Sequence, residues 1–328
     1  MSGHGGNVWQ GDGPEKWMDF SANLRPEGTP AWVTRALESA VSQARYYPDL
    51  AMKKARQGIA AYAGVLPECV LPTAGEMSAI DLALRGEKGS VRCLKPTFSE
   101  YAARAMANGR AALDSTEDCE AGDTVVLCNP NNPTGSTLQP EQILSLWERV
   151  DRRGAQLVVD EAFIDYCPEC SVRAFVRRGL CVVGSLTKIL CIPGVRLGYV
   201  CADRETILEL QKIALPWEIS AFAAAVAGEL PKHLDAIRAY GRENALRRER
   251  FAERLLALGI KVQPSRANFL LCDFGRDTRK LTEILKTRGI LVRECRSFGL
   301  PESFLRLAVR TQEENELLTG ELEKWLKY

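Results

Sequence analysis

Lys188 and Arg196 share one loop, in the run Ser185-Leu-Thr-Lys188-Ile-Leu-Cys-Ile-Pro-Gly-Val-Arg196-Leu-Gly-Tyr199. A lysine and an arginine in a small, polar loop punctuated by Pro and Gly suit one chemistry well. The amine can form a Schiff base with an aldehyde cofactor, and the guanidinium can hold that cofactor's phosphate. A solvated surface lysine is the ordinary alternative, and residues upstream decide between the two. Asp160 closes Gln156-Leu-Val-Val-Asp160 and leads into Glu161-Ala-Phe163-Ile-Asp165-Tyr166. A carboxylate at a buried strand end needs a cationic or hydrogen-bonding partner. It either caps the following segment or holds a protonated pyridine nitrogen, an ion pair that makes such a ring an electron sink. Asn129-Pro-Asn-Asn132-Pro-Thr-Gly135 follows another strand-like run and forms a rigid turn with side-chain amides available as donors. Leu71-Pro-Thr-Ala-Gly75-Glu76-Met77-Ser78 opens a helix, where a glycine lets phosphate approach backbone N–H groups. Phe98, in Lys95-Pro-Thr-Phe98-Ser-Glu-Tyr101, either stacks on a flat cofactor or packs in the core.

Amide, carboxylate and lysine thus come from successive strand ends, and the elements between them define the scaffold. Ser90–Leu94, Asp123–Cys128, Gln156–Asp160 and Gly179–Val183 read as apolar strands. They alternate with helical patterns over Ser99–Asn108 and Gln139–Arg153, the latter with Ile143, Leu144, Leu146, Trp147 and Val150 at helical spacing. Continuous apolar strands between helices predict an open, mainly parallel α/β sheet covered on both faces. Ligands bind beyond the carboxyl ends of the strands in such sheets. After Pro216 the pattern changes. Ser220–Ala257 is helical, and its charge run from Arg238 to Arg254 reads as the solvated face of a long helix. Strands at Lys261–Gln263, Asn268–Cys272, Ile290–Arg293 and Phe304–Val309 then alternate with helices at Lys280–Arg288 and Gln312–Leu326, which predicts a small α+β domain. The expected division is an arm at 1–30, a large domain at 31–217 and a small C-terminal domain at 218–328.

Composition excludes several other classes. With 328 residues, 46% of them hydrophobic and 26% charged, the chain can bury a substantial core. A net charge of +1 gives no electrostatic reason to expect nucleic acid or an anionic membrane as partner. No apolar run approaches the ~20 residues of a membrane span, and the N-terminus lacks the pattern of a secretory signal. The 11 cysteines are odd in number and irregularly spaced, so reduced thiols in a cytoplasmic protein are expected. Cys167-Pro-Glu-Cys170 has metal or redox spacing, yet no second pair completes a zinc site and the chain has 2 histidines. No metal is expected.

The joint set of Asn-Pro-Thr-Gly135, Asp160 and Ser-x-Thr-Lys188 with Arg196 resembles the fold-type I pyridoxal-phosphate enzymes, close to histidinol-phosphate aminotransferases. The resemblance covers essentially the whole chain. It implies an aspartate aminotransferase-like fold with a seven-stranded sheet, pyridoxal 5'-phosphate as cofactor and a homodimer. It implies that Lys188 carries the cofactor and shuttles the proton at Cα, while Asp160 pairs with the pyridine nitrogen. Asn132 would bond the cofactor's 3'-oxygen, and Phe98 would stack on the ring. Gly75, Glu76, Ser185 and Arg196 would hold its phosphate. Tyr47, in Arg45-Tyr-Tyr-Pro-Asp49, would reach the phosphate of the neighbouring subunit's cofactor.

Within that family the chain is similar to the threonine-phosphate decarboxylases of cobalamin biosynthesis. The similarity lies in His4-Gly-Gly-Asn7, Asp19-Phe-Ser-Ala-Asn23, Phe163, Leu-Pro-Trp217, Arg266-Ala-Asn268, Arg293, and the pair Arg306 and Arg310. It implies that Arg306 and Arg310, with Asn23 and Asn132, bind an amino acid substrate, and that His4 and Arg293 bind its phosphate. The implied reaction is decarboxylation of L-threonine O-3-phosphate, or of a close phospho-amino acid. Transamination by an enzyme of histidinol-phosphate or aromatic amino acid type is the other reaction the family offers. Ala74, Met77 and Ser220 depart from the family pattern, which usually has Asn, a polar residue and Asn there.

Overall fold

In the computed structural model, which describes residues 4–10, 13–85 and 88–327, apolar strands in the middle of the chain build the main sheet. Residues 1–3, 11 and 12 of the expected arm lie outside the described residues. The arm supplies the first strand, β1 (Met18–Asp19), followed by α1 (Ala31–Ala40) and α2 (Lys53–Ala63). The main sheet takes β2 (Val70–Ala74), β3 (Val91–Arg92), β4 (Ala112–Leu113), β5 (Thr124–Cys128), β6 (Gln156–Asp160), β7 (Leu180–Ser185) and β8 (Leu197–Cys201). Between and after them run α3 (Glu76–Arg85), α4 (Glu100–Ala107), α5 (Pro140–Asp151), α6 (Arg204–Ile213), α7 (Ala221–Glu229) and α8 (Leu234–Ala257). The sheet order is β2-β8-β7-β6-β5-β3-β4. All neighbouring pairs are parallel except those of β8, which runs against both β2 and β7.

The two-residue period of a strand explains why these runs are apolar throughout. In β6, Leu157 and Val159 enter the core shared with α1, α2, α5 and α7. Val158 enters the opposite core, shared with α3, α4 and α6. Both faces are covered, so every other position cannot be polar.

The small domain contains β9 (Lys261–Val262), β10 (Phe269–Asp273), α9 (Arg279–Thr287), β11 (Ile290–Leu291), β12 (Arg293–Glu294), β13 (Phe304–Ala308) and α10 (Gln312–Leu326). Its antiparallel sheet has the order β12-β13-β10-β9. The strand expected at Ile290–Arg293 is divided between sheets. β11 pairs in parallel with β1 of the arm, and β12 pairs with β13. The arm therefore joins the small domain: Phe20 is fully buried in its core, and the Ala308 N–H donates to the Phe20 carbonyl at 2.9 Å.

Two details depart from the sequence reading. α7 packs on α1 and α2, and its Ala223, Val226 and Ala227 belong to the core under the main sheet. The stretch just past 217 thus sits with the large domain, because its unbroken apolar run needs burial on all sides. The charge run of α8 is also not wholly solvated. Arg248 is buried and donates to the Ala267 carbonyl at 3.2 Å.

Close packing of α2 on α7 depends on Gly58. A Cβ there would lie 1.9 Å from the Ala227 carbonyl oxygen. Helix propensity favours alanine by ~1 kcal/mol, but overpacking against fixed backbone costs ~1–3 kcal/mol. Gly58→Ala is therefore expected to lower the midpoint of urea unfolding, and a raised midpoint would contradict this packing.

Candidate active site

Strand register assembles the site. Ala74 pairs with Leu197, so Gly75 just past β2 and Arg196 just before β8 become neighbours. Ser185 pairs with Gly198 at the same end of the sheet. Asp160 lies between Cys128 and Val183. Reversal of β8 is what carries the chain from Lys188 back to Arg196 without leaving this end. A cavity of about 810 Å³ opens there, lined by large domain, small domain and arm together.

Asp160 is 2% exposed. Its Oδ1 accepts the Ala162 N–H at 2.9 Å, and its Oδ2 accepts the Tyr101 hydroxyl. Burial pushes the Tyr101 phenol well above its ordinary range, and the Asp160 charge pushes it further. Tyr101 thus keeps its proton and donates it. Sequence reasoning missed this residue, which lies in the first turn of α4 while Phe98 precedes that helix. The rings of Phe98 and Tyr101 meet edge to face at 5.6 Å. Phe98 is half-buried and lines the cavity.

Lys188 Nζ lies 3.1 Å from Thr187 Oγ1, 3.5 Å from Ser185 Oγ and 3.8 Å from Glu76 Oε2. Ser185 and Thr187 hydroxyls are 2.8 Å apart. Glu76 stands nearer the centre of the site than expected. Burial and the Asp160 carboxylate push its carboxyl well above the usual range, against the pull of Lys188 and Arg196. Its Oε1 is buried without a hydrogen-bond partner.

The turn after β5 divides its asparagines by task. Asn129 staples the loop, accepting from Leu138 N–H at 2.8 Å and donating to the Leu138 and Cys170 carbonyls. Asn131 accepts the Thr97 hydroxyl and donates to the Pro96 carbonyl. Asn132 is left for the cavity. Its Oδ1 accepts Arg306 Nη1 at 2.6 Å, so Nδ2 is the end available to donate. Arg306 also donates to the Ser21 carbonyl at 2.6 Å, and burial pushes it down to about 10.

Other expected residues are placed as follows. Asn23 is buried at the cavity wall with Oδ1 unpartnered. His4 bonds Glu100 at 2.9 Å, and Arg293 bonds Ser297 at 2.6 Å; both line the cavity. Arg310 is not among the lining residues. It is held by the Asp19 carbonyl at 3.0 Å and Glu314 at 2.7 Å. Tyr47 is 79% exposed and lies at a separate cavity of about 480 Å³, its ring 4.5 Å from that of Trp217. Cys167 and Cys170 pack with Ile164 in a small apolar cluster, and all the cysteines are free. Among the described residues, no group of three or more His, Cys, Asp or Glu could hold a metal ion. No helix among them is long and apolar enough to cross a membrane.

These residues fit pyridoxal 5'-phosphate. A buried carboxylate faces the place for a ring nitrogen, an amine stands among hydroxyls, and an arginine borders a helix N-terminus. The cradle at that N-terminus is tight: a Cβ on Gly75 would lie 2.6 Å from Arg196 Nη2. Fold and site together are those of the aspartate aminotransferase-like class. The family profile described as "Aminotransferase class I and II" matches residues 15–322, and the chain belongs to that family. The threonine-phosphate decarboxylase of Salmonella typhimurium is 32% identical over 355 residues, covering 99% of this chain and 97% of that one. Histidinol-phosphate aminotransferase 1 of Pasteurella multocida is 29% identical over 300 residues, covering 85% of each. The crystal structure of L-threonine-O-3-phosphate decarboxylase from Porphyromonas gingivalis matches with a TM-score of 0.86 at 26% identity, covering 94% of this chain and 98% of that one.

Behind Asp160, Glu161 is buried against Arg173 at 3.3 Å, and Arg173 also reaches the Tyr199 hydroxyl at 3.1 Å. Burial outweighs the arginine and pushes Glu161 up to about 7. A raised acid contributes stability that is full below its ordinary 4.5 and is lost as pH rises through about 7. Glu161→Gln removes that dependence. The stability of the native protein relative to this variant is expected to fall by up to roughly 3 kcal/mol across the window. Urea unfolding at a series of pH values measures it, and a constant difference would contradict the assignment.

Gly75 has φ +80°, a conformation that strains any side chain. Gly75→Ala must also push the Arg196 guanidinium away. Cofactor affinity is expected to fall at least about ten-fold, or ~1.4 kcal/mol. Titration of the lysine-bound cofactor's absorbance reads it, and unchanged affinity would remove Arg196 from the phosphate site.

Proposed function

We propose that this protein is a pyridoxal-phosphate-dependent decarboxylase of L-threonine O-3-phosphate, or of a close phospho-amino acid, yielding an aminoalcohol phosphate for cobalamin biosynthesis. The observation that carries this reading is the set of nitrogen donors at the cavity wall. Arg306, bonded to Asn132, and Arg293, directly opposite it in the small-domain sheet, line the cavity together with His4 of the arm. A substrate bearing both a carboxylate and a phosphate needs several such donors. The whole-length similarity to threonine-phosphate decarboxylases supports the same choice.

When bound, the cofactor supplies an electron-accepting ring that stabilises negative charge at the substrate's Cα. The chain's own residues do the rest. Lys188 holds the cofactor by its Nζ and moves the proton at Cα. Asp160 keeps the ring nitrogen protonated, with Tyr101 and the Ala162 N–H holding the carboxylate in place. Asn132 bonds the 3'-oxygen, and Phe98 covers the ring. Gly75, the Glu76 backbone, Ser185 and Arg196 receive the phosphate. Arg306 and Asn23 orient the substrate at its amino acid end, and Arg293 and His4 take its phosphate. By placing the substrate's carboxylate and phosphate, these residues would decide whether CO2 or a proton leaves Cα, and Lys188 would return a proton to Cα after CO2 is lost. Tyr47 lies away from its own chain's cavity and serves a neighbouring subunit's cofactor, so the working form is a homodimer. Arg310 orients the arm by way of the Asp19 carbonyl instead of touching substrate.

The purified protein with pyridoxal phosphate and L-threonine O-3-phosphate is expected to release CO2 without forming a keto acid, and Lys188→Ala is expected to release none. Serine phosphate and histidinol phosphate serve as competing substrates. Histidinol phosphate consumption coupled to glutamate formation from 2-oxoglutarate, without CO2, would replace this reading with an aminotransferase, as the histidinol-phosphate aminotransferase relatives allow.

A further inference from the structure

Glu218 does not line the cavity, yet its carboxylate grips the turn that would receive the cofactor phosphate. Its Oε1 accepts the Ala74 N–H at 3.2 Å and the Ser78 hydroxyl. Ala74 is the last residue of β2, and Ser78 lies in the first turn of α3. One carboxylate oxygen therefore clamps both ends of the turn at Gly75, whose φ is +80°. The other bonds of the turn are local, the Thr73 hydroxyl donating to the Gly75 carbonyl at 2.9 Å and the Gly75 N–H to the Thr73 carbonyl at 2.8 Å, and a glycine is the most freely moving residue the chain can place there. The clamp comes from far along the chain, in the segment between α6 and α7. That segment is itself anchored, by buried Ile219 and by Ser220 Oγ, which accepts the Ala223 N–H at 3.1 Å at the start of α7.

Electrostatics alone argue against an acid in this place. A carboxylate near a phosphate dianion is repelled by it. Glu218 therefore has to act through its hydrogen bonds and not through its charge. The adjacent Trp217 adds a second link. It is held at φ +55° and its ring packs on Tyr47 at 4.5 Å. The same short segment thus touches the phosphate turn of its own chain and the tyrosine at the separate cavity.

We propose that Glu218 is a positioning residue for the cofactor's phosphate, acting through Ala74 and Ser78 to fix the β2–α3 turn. This rests on the cofactor reading above. Sequence reading singled out Ala74 as a missing side-chain donor in this turn, and a rigid backbone would offset that loss. Gln can accept the same hydrogen bonds without the charge, so the two kinds of variant should part company.

The experiment titrates pyridoxal phosphate into the native protein and into Glu218→Ala, Glu218→Gln, Ser78→Ala and the Glu218→Ala/Ser78→Ala pair. Absorbance of the lysine-bound cofactor is the readout. Glu218→Ala and Ser78→Ala are each expected to weaken binding about ten-fold. The double variant should be no weaker than either single one, because both remove the same link. Glu218→Gln should bind at least as tightly as the native protein. Urea midpoints of the cofactor-free forms should stay together, and if Glu218→Ala fails to fold, Ser78→Ala and Glu218→Gln carry the test. Native affinity in Glu218→Ala overturns the proposal, as does equal loss in the Gln form or simple additivity in the pair. Failure of the native protein to take up the cofactor at Lys188 would instead overturn the reading on which the proposal rests.

Discussion

Asp160 is 2% exposed at the end of an apolar strand, and an ion in such a place is stable only with partners. Tyr101 and the Ala162 N–H supply two of them, from α4 and from the loop beyond β6. Neither is cationic, so the carboxylate retains a demand for positive charge directed into the cavity. A protonated pyridine ring would answer that demand, and the electron-sink chemistry would follow from the same pairing. The surroundings fit this need. Tyr101 reaches Asp160 with its ring fully buried, which holds α4 against the sheet. Asp160 must stand level with Cys128 and Val183, which fixes the register of three strands.

Arg306 extends the constraint to the small domain. It is buried, and it donates to Asn132 of the large domain and to Ser21 of the arm. A single guanidinium of the small domain therefore touches the large domain and the arm at the cavity wall. Its Nε is buried without a partner, and burial lowers its hold on its proton. A buried cation with a donor unsatisfied is costly unless an anion completes it. The substrate carboxylate would do so, which links substrate binding to the contact between the domains.

The main sheet was legible because strands buried on both faces must be apolar throughout, and such runs stand out between amphipathic helices. Lys188, Asp160 and Asn132 were legible because each follows a strand directly, so chain order fixed their place in space. Legibility ended where side chains meet across long separations. Nothing local marks Tyr101 as the partner of Asp160, or Glu218 as the partner of Ser78. Arg310, which the resemblance sets beside Arg306 as a substrate residue, is held by Glu314 and the Asp19 carbonyl, contacts that no local pattern announces. The division of Ile290–Arg293 between sheets depends on the arm, whose β1 captures β11 and leaves Arg293 to β12.

That division explains how chemistry and selectivity separate in this chain. Residues that would hold the cofactor come chiefly from strand ends between β2 and β8, a block placed by sheet register, with Glu218 clamping the β2–α3 turn. Residues that would read the substrate come from the arm and from β12 and β13. Their positions depend on β1 pairing with β11 and on the Ala308 N–H meeting the Phe20 carbonyl. A change in the arm can thus move His4 and Asn23 without disturbing Lys188 or Asp160. Arg293 is held by the pairing of β12 with β13, directly opposite Arg306. The two sets meet where Arg306 of β13 bonds Asn132 beyond β5, so the residues that would read the substrate stay tied to those that would hold the cofactor.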